Sequence, residues 1–478
     1  MNIQVIIPLL LFLILFFIVG LWASRYTHSS NSFIQEYFLG SRQMGGFILA
    51  MTMVATYGSG SSFIGGPGAA YNYGLAWVLL SMTQVVTGYF VLMVLGKKFA
   101  IIARKYNAIT LIDFLKERYQ SHWVTIIAAI SIIIFLFSSM IAQWVGGARL
   151  MESILGVSYT TALFIFAVSV LIYVIIGGFR AVAITDTIQG IVMLGGTLIL
   201  LIATIVAGGG MENIMNELKH QNPYLLSPYG ADRSLTPIYI SSFWILVGVG
   251  VVGLPQIAVR AMSYKNAKAM HQAILIGTIV IGVIMFGMHL IGVFAHAIVP
   301  GIENVDTVMP IITMKVLPPW AAGIVLAAPM AAIMSTVNSV LILVSSAVVK
   351  DLYIGYVDRD ANIEKVKKIS FWTTTIIGIA VLLFAIHPPD LLIWLNLFSF
   401  GGLEAVFIWP IVMGLYWKNG NKYGAFSSMI IGMGSYIFLD RFHPNAFGMH
   451  TVVLPILLSF FVFIFVSLLT KRKAIHLQ

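Results

Sequence analysis

The chain has 478 residues, of which 59% are apolar, only 9% are charged and none is cysteine. About a quarter of the residues of a soluble domain are charged, so this composition excludes an ordinary soluble protein, and the lack of cysteine excludes disulfide and thiol chemistry. The formal net charge of +10 is spread over many short segments, which argues against nucleic acid as a partner.

Apolar blocks follow one another along the whole chain. A block of about 20 residues is long enough to cross ~30 Å of hydrocarbon as an α-helix. We therefore predict an all-α integral membrane protein with about 13 transmembrane helices, embedded in a lipid bilayer. The 13 blocks are residues 2–22, 44–70, 75–96, 122–148, 158–177, 187–208, 237–259, 270–297, 318–349, 369–386, 391–416, 423–440 and 450–469.

The basic residues predict the orientation of these helices. If the N-terminus lies outside, the inner segments carry 22 of the 27 Lys and Arg residues. Cytoplasmic loops are enriched in Lys and Arg, so we predict a multi-pass protein of the cell (inner) membrane with a cytoplasmic C-terminus. The five basic residues left outside are Arg149, Lys219, Arg233, Lys315 and Arg441.

The second block contains the unusual stretch "ATYGSGSSFIGGPGAAY", residues 55–71. Gly, Pro and Ser are poor helix formers, and a broken helix is tolerated in hydrocarbon only beside a buried cavity or a ligand. Free carbonyl oxygens at such a break suit a hard cation, and the N-terminus of the following half-helix suits a carboxylate. This stretch therefore predicts a small cation bound beside an organic anion.

A similar stretch, "VGVGVVGLPQ" (residues 247–256), lies five blocks later. An odd offset means that the second stretch crosses the membrane in the opposite direction, which predicts an inverted repeat of five plus five helices with a discontinuous first helix in each. The alternative is that the glycines only allow close helix packing. The predicted units are an additional first helix with an inner loop (1–43), the first repeat (44–208), an external loop (209–236), the second repeat (237–417), and two C-terminal helices with an inner tail (418–478).

The ninth block contains "AAPMAAIMSTVNS", residues 327–339. Ser335 and Thr336 are adjacent hydroxyls at mid-depth, and the carbonyl of Ala332 lies one turn earlier, so three oxygens could face one point. The alternative is that each hydroxyl bonds back to the carbonyl about four residues before it.

Several segments resemble the sodium/solute symporter family. They are "LGSRQMGG" (39–46), "GGFRAVAITDTIQGIVM" (177–193) and "AAIMSTVNS" (331–339). The resemblance implies a non-enzymatic inverted-repeat transporter that works by alternating access, with Na+ as the coupling ion and no organic cofactor. Longer stretches such as "SSFIGGPGAAYNYGLAWVLL" and "IWLNLFSFGGLEAVF" narrow the implied solute to pantothenate.

The same resemblance implies a sodium site between the second and ninth spans. Its ligands would be the carbonyl oxygens of Ala55, Gly58 and Ala332 and the hydroxyls of Ser335 and Thr336. Tyr57 stands where some members of the family have an aspartate, so this chain lacks that carboxylate.

Candidate solute-binding residues follow from the chemistry of pantothenate, which has a carboxylate, an amide, two hydroxyls and a gem-dimethyl group. A matching pocket needs hydroxyl and amide side chains beside aromatic rings. For each candidate, the alternative is an ordinary helix–helix hydrogen bond. The candidates are Thr56, Ser59, Ser61, Ser62, Gln143, Trp144, Trp244, Gln256, Asn396 and Ser399.

Four ionisable residues complete the set. Glu404 is the only acid deep within a span, and such residues are functional candidates by default. Arg180 and Asp186 follow a predicted turn at 177–178, where they could form an inner gate or a structural ion pair. His289 is predicted to be a packed, hydrogen-bonded histidine rather than a proton relay.

Three other functions remain open at this stage. One is sodium symport of another small organic anion or of an amino acid such as proline. The second is a proton-coupled version of the transporter, through Glu404 or His289. The third, a membrane-embedded enzyme, is disfavoured because HExxH, GxSxG and GxxxxGK[ST] motifs are all absent from the sequence. The oligomeric state and the sodium stoichiometry do not follow from the sequence.

Overall fold

The computed structural model describes residues 3–28, 43–388 and 391–470, with the backbone alone described at 20–28, 173–184 and 363. Over these residues the chain is helical, and the one β feature is an isolated bridge between Met44 and Tyr264. The prediction of an all-α protein is confirmed.

We number the helices in chain order. The first half contains α1 (Ile3–His28), α2 (Gly46–Tyr57), α3 (Gly66–Tyr73), α4 (Leu75–Met82), α5 (Thr87–Val94), α6 (Gly96–Lys105), α7 (Leu111–Tyr119), α8 (His122–Leu155), α9 (Tyr159–Ala207) and α10 (Met211–Gln221). A π-helical turn, Ser61–Gly65, leads directly into α3.

The second half contains α11 (Pro237–Phe243), α12 (Pro255–Ala261), α13 (Ala267–Ile298), α14 (Val308–Val316), α15 (Pro319–Val325), α16 (Ala327–Ser346), α17 (Ile363–Ala385), α18 (Leu392–Tyr416), α19 (Lys422–Phe442) and α20 (Val453–Leu469). A π-helical turn (Trp244–Val249) and a 3-10 turn (Gly250–Gly253) continue α11. A longer π-helical segment, Ala347–Val357, extends α16.

Many of these helices can cross a membrane. In the described part of the chain, seven helices are long and apolar enough, and two bent helix pairs raise the number to nine if each pair is one span. Three shorter apolar helices lie at 3–19, 159–172 and 453–469. The structure therefore confirms a multi-span helical protein, while the number 13 stays a prediction.

Both predicted helix interruptions are present. The segments Gly46–Tyr57 and Ser61–Tyr73 meet at an angle of 65°, and Pro237–Gly253 and Pro255–Ala261 meet at 56°. Gly58 and Leu254 have extended backbone angles, with ψ of 118° and 117°. The second break has a simple local cause, because a proline disfavours helical geometry at the preceding residue.

The region predicted to turn between the fifth and sixth blocks lies within α9, which is 49 residues long. The backbone is helical through residues 177–178, so the predicted turn is wrong: two adjacent glycines lower helix propensity but do not end this helix. The predicted role of Arg180 falls in the stretch 173–184, outside the part of the chain whose side chains are described.

Some glycines near the first break do serve close packing. A Cβ on Gly68 would lie 2.4 Å from the carbonyl oxygen of Val305, and one on Gly292 would lie 2.2 Å from that of Pro67. The first contact packs α3 against the 3-10 turn Val305–Thr307 and the second packs it against α13, and together they fix the half-helix that follows the break. Close packing and helix interruption therefore occur together in this stretch.

Candidate functional site

The first break lies directly against α16. The hydroxyl of Ser335 donates to the carbonyl oxygen of Ala55 at 2.6 Å and to that of Ala332 at 2.9 Å. In an unbroken helix the carbonyl of Ala55 would accept the amide four residues later. The break releases this oxygen, and a hydroxyl from α16 takes up the free position.

Thr336 makes the matching contacts one residue further along α16. Its hydroxyl lies 2.9 Å from the carbonyl oxygen of Ala332 and 3.4 Å from that of Gly58. Back-bonding within α16 and contact with the broken helix are therefore both present. All five residues predicted to hold sodium meet at this one place, and Ala55, Ala332 and Ser335 are fully buried.

The five oxygens are three carbonyls and two hydroxyls, and all of them are uncharged. Hard cations prefer oxygen ligands, and a site without a carboxylate suits a single positive charge. Among the described residues, no group of three or more His, Cys, Asp or Glu is placed to hold a metal ion. The cluster therefore fits a monovalent cation better than a transition metal.

The half-helix that follows the break has its first N–H groups occupied by side chains. The amide of Gly60 donates to Gln143 Oε1 at 2.8 Å, and the amide of Ser61 donates to Ser59 Oγ at 3.2 Å. The position predicted for a carboxylate is thus taken by the Gln143 side chain in this conformation. A carboxylate could bind there only by displacing that amide.

A small cavity of about 30 Å³ lies beside the first break. A single water molecule takes up about this volume, so in this conformation the cavity is too small for any organic solute. Four of the predicted solute-binding residues line it, namely Ser59, Ser61, Ser62 and Asn396. Its other lining residues include Tyr57, Trp77, Gln84, Phe243, Val247, His289 and Phe400.

Two polar atoms in this lining have no hydrogen-bond partner within the described structure. They are the hydroxyl of Ser61 and the indole N–H of Trp77, and both are buried. An unsatisfied buried donor costs about 1–3 kcal/mol, and such groups in a native structure call for an explanation. A solute that supplied acceptors for both would relieve that cost.

The other predicted solute-binding residues lie away from the cavity. The hydroxyl of Thr56 bonds back to the carbonyl of Thr52 at 2.7 Å. The ring of Trp144 is fully buried and meets Phe166 edge to face. Trp244 is 48% exposed on the outer surface of its helix, which places its ring away from the lining.

Gln256 and Ser399 are buried but are not part of the lining. Gln256 is the second residue of α12, and its backbone carbonyl accepts from Arg260 at 2.8 Å. The hydroxyl of Ser399 has no partner among the described residues. Helical spacing alone did not show which face of each helix these residues occupy.

The sequence analysis did not single out Gln84, although it lies at the centre of the site. The Tyr57 hydroxyl lies 3.0 Å from Gln84 Oε1 and 3.1 Å from the carbonyl oxygen of Val247, which also accepts from Thr87 at 2.6 Å. These contacts join the first broken helix to the second. A lone amide in the middle of the otherwise apolar third block was the signal that could have revealed it.

A buried ion pair joins α9 to the second broken helix and, through Thr52, to the first. Arg260 Nη2 lies 3.3 Å from Asp186 Oδ2 and 2.7 Å from the hydroxyl of Ser339. The hydroxyl of Thr52 donates to the same carboxylate oxygen at 2.8 Å. Asp186 therefore pairs with Arg260, a residue that the sequence analysis did not consider.

The two other ionisable candidates have different surroundings. His289 is buried, and its Nδ1 lies 2.6 Å from the carbonyl oxygen of Met285, which is consistent with a packed, bonded histidine that also lines the cavity. Glu404 is fully buried on α18, and neither of its carboxyl oxygens has a hydrogen-bond partner in the described chain.

A second, larger cavity of about 570 Å³ lies on the face that the charge distribution predicts to be outside. It shares Leu397 with the small cavity. An aromatic layer separates the two, because the Trp77 ring meets Phe243 at 6.1 Å and Trp394 at 5.8 Å between ring centroids. Trp394 lines the larger cavity, while Trp77 and Phe243 line the smaller one, so these rings form a wall between the two.

An ion pair anchors the far end of the helix that carries Ser335 and Thr336. Lys350, in the π-helical extension of α16, pairs with Asp113 of α7. Burial raises the pKa of Asp113, but the charge and hydrogen bond of Lys350 together with the backbone N–H groups of Ile109 and Thr110 outweigh burial, so this pKa lies below its usual value. Asp113 stays ionised at neutral pH and holds α7 against the extension.

Comparison with known proteins gives one family. The model of the sodium:solute symporter family matches residues 37–432. The sodium/pantothenate symporter of Escherichia coli K12 is 49% identical over 97% of this chain and 96% of its own length, and that of Haemophilus influenzae is 48% identical over 99% and 98%. The osmoregulated proline transporter OpuE of Bacillus subtilis is 30% identical over 99% of this chain and 96% of its own length.

Solved structures show the same fold at low sequence identity. A sodium-coupled sialic acid symporter superimposes with a TM-score of 0.81 at 17% identity, covering 99% of this chain and all of the other. A nucleobase-cation-symport-1 family transporter gives a TM-score of 0.55 at 12% identity, covering 92% and 93% of the two chains. At such identities the likeness extends to the helical architecture and not to the ligands.

Proposed function

The chain belongs to the sodium:solute symporter family, and from that premise we propose that it imports pantothenate together with sodium by alternating access. The observation that carries this proposal is the convergence of five uncharged oxygens at the first break, where hydroxyls of α16 reach the carbonyls of Ala55 and Gly58. Identity of 49% with a pantothenate symporter, against 30% with a proline transporter, favours pantothenate as the solute.

The proposed architecture is the 13-helix arrangement with an inverted repeat of five plus five helices. The two bends of 65° and 56° support it, because each lies in the first helix of a proposed repeat. We place the N-terminus outside and the C-terminus in the cytoplasm of the inner membrane, on the distribution of Lys and Arg.

In the proposed sodium site, the five oxygens would hold the ion, and the hydroxyls of Ser335 and Thr336 would stay protonated but turn their hydrogens away from the carbonyls they now contact. The hydroxyls of Ser335 and Thr336 would turn their lone pairs toward sodium, and the carbonyls of Ala55, Gly58 and Ala332 would complete the ligand set. Sodium would then fasten α16 to the C-terminal end of α2. The same ion would thereby fix the geometry of the break, which lies next to the solute cavity.

In the proposed solute site, pantothenate expands the small cavity beside the first break. Its hydroxyl, amide or carboxylate oxygens would accept from the Ser61 hydroxyl and the Trp77 indole N–H, the two donors of the cavity lining that lack partners in the described structure. Asn396 and Gln84 would supply further polar contacts, and Phe243 would cover the gem-dimethyl group. Binding therefore supplies the acceptors that these buried donors lack.

Alternating access also needs an inner closure that can open. The ion pair between Asp186 and Arg260 fits this role, because it joins α9 to α12 and, through Thr52 and Ser339, to α2 and α16. Opening toward the cytoplasm would separate these helices and admit water to the charges. Sodium and pantothenate would then leave on that side.

The driving force depends on the number of sodium ions. Pantothenate is a monoanion, so symport with one sodium moves no net charge, and a tenfold sodium gradient supplies about 1.4 kcal/mol. A second sodium would add the membrane potential, worth roughly 2.3 kcal/mol per charge at 100 mV. The current that accompanies uptake in voltage-clamped vesicles distinguishes the two cases.

The test is uptake of labelled pantothenate into vesicles that contain the purified protein. We expect uptake driven by an inward sodium gradient, none with potassium in place of sodium, and no competition from excess proline. If a pH gradient without sodium drove uptake equally well, the coupling ion would be a proton and this proposal would be wrong. If sodium drove uptake of proline but not of pantothenate, the transported solute would be proline.

A further inference from the structure

Glu404 is a buried acid that the transport scheme above does not use. It lies in the middle of α18 with a fully buried side chain, and both carboxyl oxygens lack a hydrogen-bond partner in the described structure. An ionised carboxylate that is buried without a partner is very costly. The group therefore requires either a cation or a proton.

The carboxyl group faces the second break. A Cβ on Gly250 would lie 2.4 Å from Glu404 Oε2 and 2.3 Å from the carbonyl oxygen of Ile245. The carbonyl oxygen of Ile245 already accepts the N–H of Gly250 within the π-helical turn, so this part of the break offers the carboxyl no cation and no hydrogen-bond partner. A protonated, neutral carboxyl can be buried against such a backbone at a much lower cost than a carboxylate.

The α18 backbone also packs tightly on this break, because a Cβ on Gly253 would lie 3.1 Å from the Cα of Glu404. Such close packing leaves little room for a hydrated ion between α18 and the 3-10 turn. The site is therefore better suited to a proton than to sodium.

The ionisable groups around Glu404 give no charge compensation. The ionisable groups near enough to interact with it electrostatically include the phenols of Tyr57 on α2 and Tyr436 on α19, and phenols are uncharged at physiological pH. Asp440, also on α19, faces Tyr436 and adds negative charge only. The nearest cation on the second broken helix is Arg260, at its inner end, where it pairs with Asp186.

We propose that Glu404 binds a proton, and that the neutral carboxyl is required for the second broken helix to close against α18. Loss of the proton would place a charge against Gly250, and an opened break that admits water would then be favoured. This proposal rests on the transport function proposed above. It adds a proton-dependent step at the second break, separate from the sodium oxygens at the first.

The main test compares the wild type with Glu404→Gln, which is neutral and nearly isosteric. Initial rates of pantothenate uptake are measured at saturating sodium with equal pH on both sides, from about pH 6 to about pH 9, where buried glutamates are known to titrate. The wild-type rate should fall by up to about tenfold per pH unit at the alkaline end, because only the protonated fraction closes. Glu404→Gln should keep its rate, and Glu212→Gln on the external helix α10 should behave as the wild type.

A second measurement does not depend on the solute. The chain has no cysteine, so Val252→Cys, a buried position in the second break, would be the sole thiol. Its labelling by a polar thiol reagent should accelerate at alkaline pH, and the acceleration should vanish when Glu404→Gln is added. This readout remains informative if the transported solute is not pantothenate.

Three results would overturn the proposal. One is an alkaline fall in uptake that Glu404→Gln retains in full. Another is a Glu404→Gln protein of normal abundance that is inactive at every pH. The third is a Glu404→Gln protein that needs far more sodium, which would assign a sodium ion to the carboxyl. Failure of the proposed function looks different, because the wild type would then show no sodium-driven pantothenate uptake at any pH.

Discussion

Both helix breaks interrupt the helical backbone, but the side chains that surround them differ in chemistry. At the first, the chain leaves helical geometry at Gly58, and hydroxyls from α16 reach the released carbonyls. At the second, the chain leaves it at Leu254, ahead of Pro255, and Gly250 packs against the carboxyl of Glu404. Several uncharged oxygens therefore meet at the first break, whereas the second break packs against a single buried acid.

This difference indicates that interrupting a helix does not by itself gather side-chain oxygens around the freed carbonyls. The interruption frees backbone groups, but a site forms only where a neighbouring helix supplies side-chain oxygens at the same depth. Ser335 and Thr336 do so for the first break. The second break has instead the contacts of Tyr57 and Thr87 with the carbonyl of Val247, which join it to the first.

The largest expected effect comes from breaking the ion pair between Asp186 and Arg260. Asp186→Asn leaves Arg260 buried without its counter-charge, and breaking a buried pair in this way costs about 3–5 kcal/mol. We expect uptake to fall by at least about 100-fold. The same substitution can be made in a Ser263→Cys protein, whose single thiol follows the C-terminal end of α12. A thiol reagent added from the cytoplasmic side should label this thiol faster with Asp186→Asn than without it.

The control for this prediction removes both charges. Asp186→Asn combined with Arg260→Met should recover part of the activity, because an apolar side chain in place of a buried charge is tolerated better than an unpaired charge. Unchanged uptake and unchanged labelling in Asp186→Asn would show that this pair does not hold α9 against α12.

The next largest effect is expected from removing the α16 hydroxyls that contact the first break. Ser335→Ala or Thr336→Ala removes one ligand, and a hydrogen bond or contact to a charged group is worth about 1.5–3 kcal/mol. We therefore expect the sodium concentration for half-maximal uptake to rise by roughly 10- to 100-fold, with normal protein abundance. Ser345→Ala on the same helix is the matched control, since its buried hydroxyl has no partner among the described residues and belongs to neither break. Equal sodium dependence in all three variants would contradict the site.

Much of this comparison could be predicted from the sequence. Runs of Gly, Ser and Pro within apolar blocks identified both breaks, and adjacent hydroxyls in the ninth block identified the side chains that meet the first. These features are local, because helix propensity and spacing along one helix depend on nearby residues.

The rest depends on how distant helices rotate against each other. Asp186 was singled out without its partner Arg260, which lies 74 positions away in the chain. Trp144 and Trp244 were expected beside the solute, but one ring is buried against Phe166 and the other is exposed. A periodic pattern shows where a residue lies along a helix, but in a helix that is apolar on every side it does not show which neighbour the residue faces.

A smaller effect is expected for a substitution that changes solute binding beside the first break without changing sodium binding. Trp77→Phe keeps the aromatic layer and removes one donor, a loss of about 0.5–1.5 kcal/mol. The KM for pantothenate should rise by roughly 2- to 10-fold, while the sodium dependence stays the same. Trp144→Phe is the matched control, because its indole N–H is also buried without a partner in the described chain but does not line the cavity. A larger change in Trp144→Phe than in Trp77→Phe would place the solute elsewhere.

The smallest effect is expected at the surface of the second break. Trp244 begins the π-helical turn and is 48% exposed, so Trp244→Phe should change KM and the maximal rate by less than about twofold, as surface substitutions usually do. Uptake kinetics at several pantothenate concentrations check this. A strong rise in KM would restore Trp244 as a solute contact and would make the two breaks more alike than the structure indicates.

The most direct test of the ion site is equilibrium binding of radiolabelled sodium to the purified protein without pantothenate. Wild-type protein should bind sodium saturably, and the double variant Ser335→Ala, Thr336→Ala should lose that binding while keeping the thermal stability of the wild type measured without sodium. Sodium binding of equal affinity in the wild type and the double variant would contradict the assignment of the coupling ion to the first break.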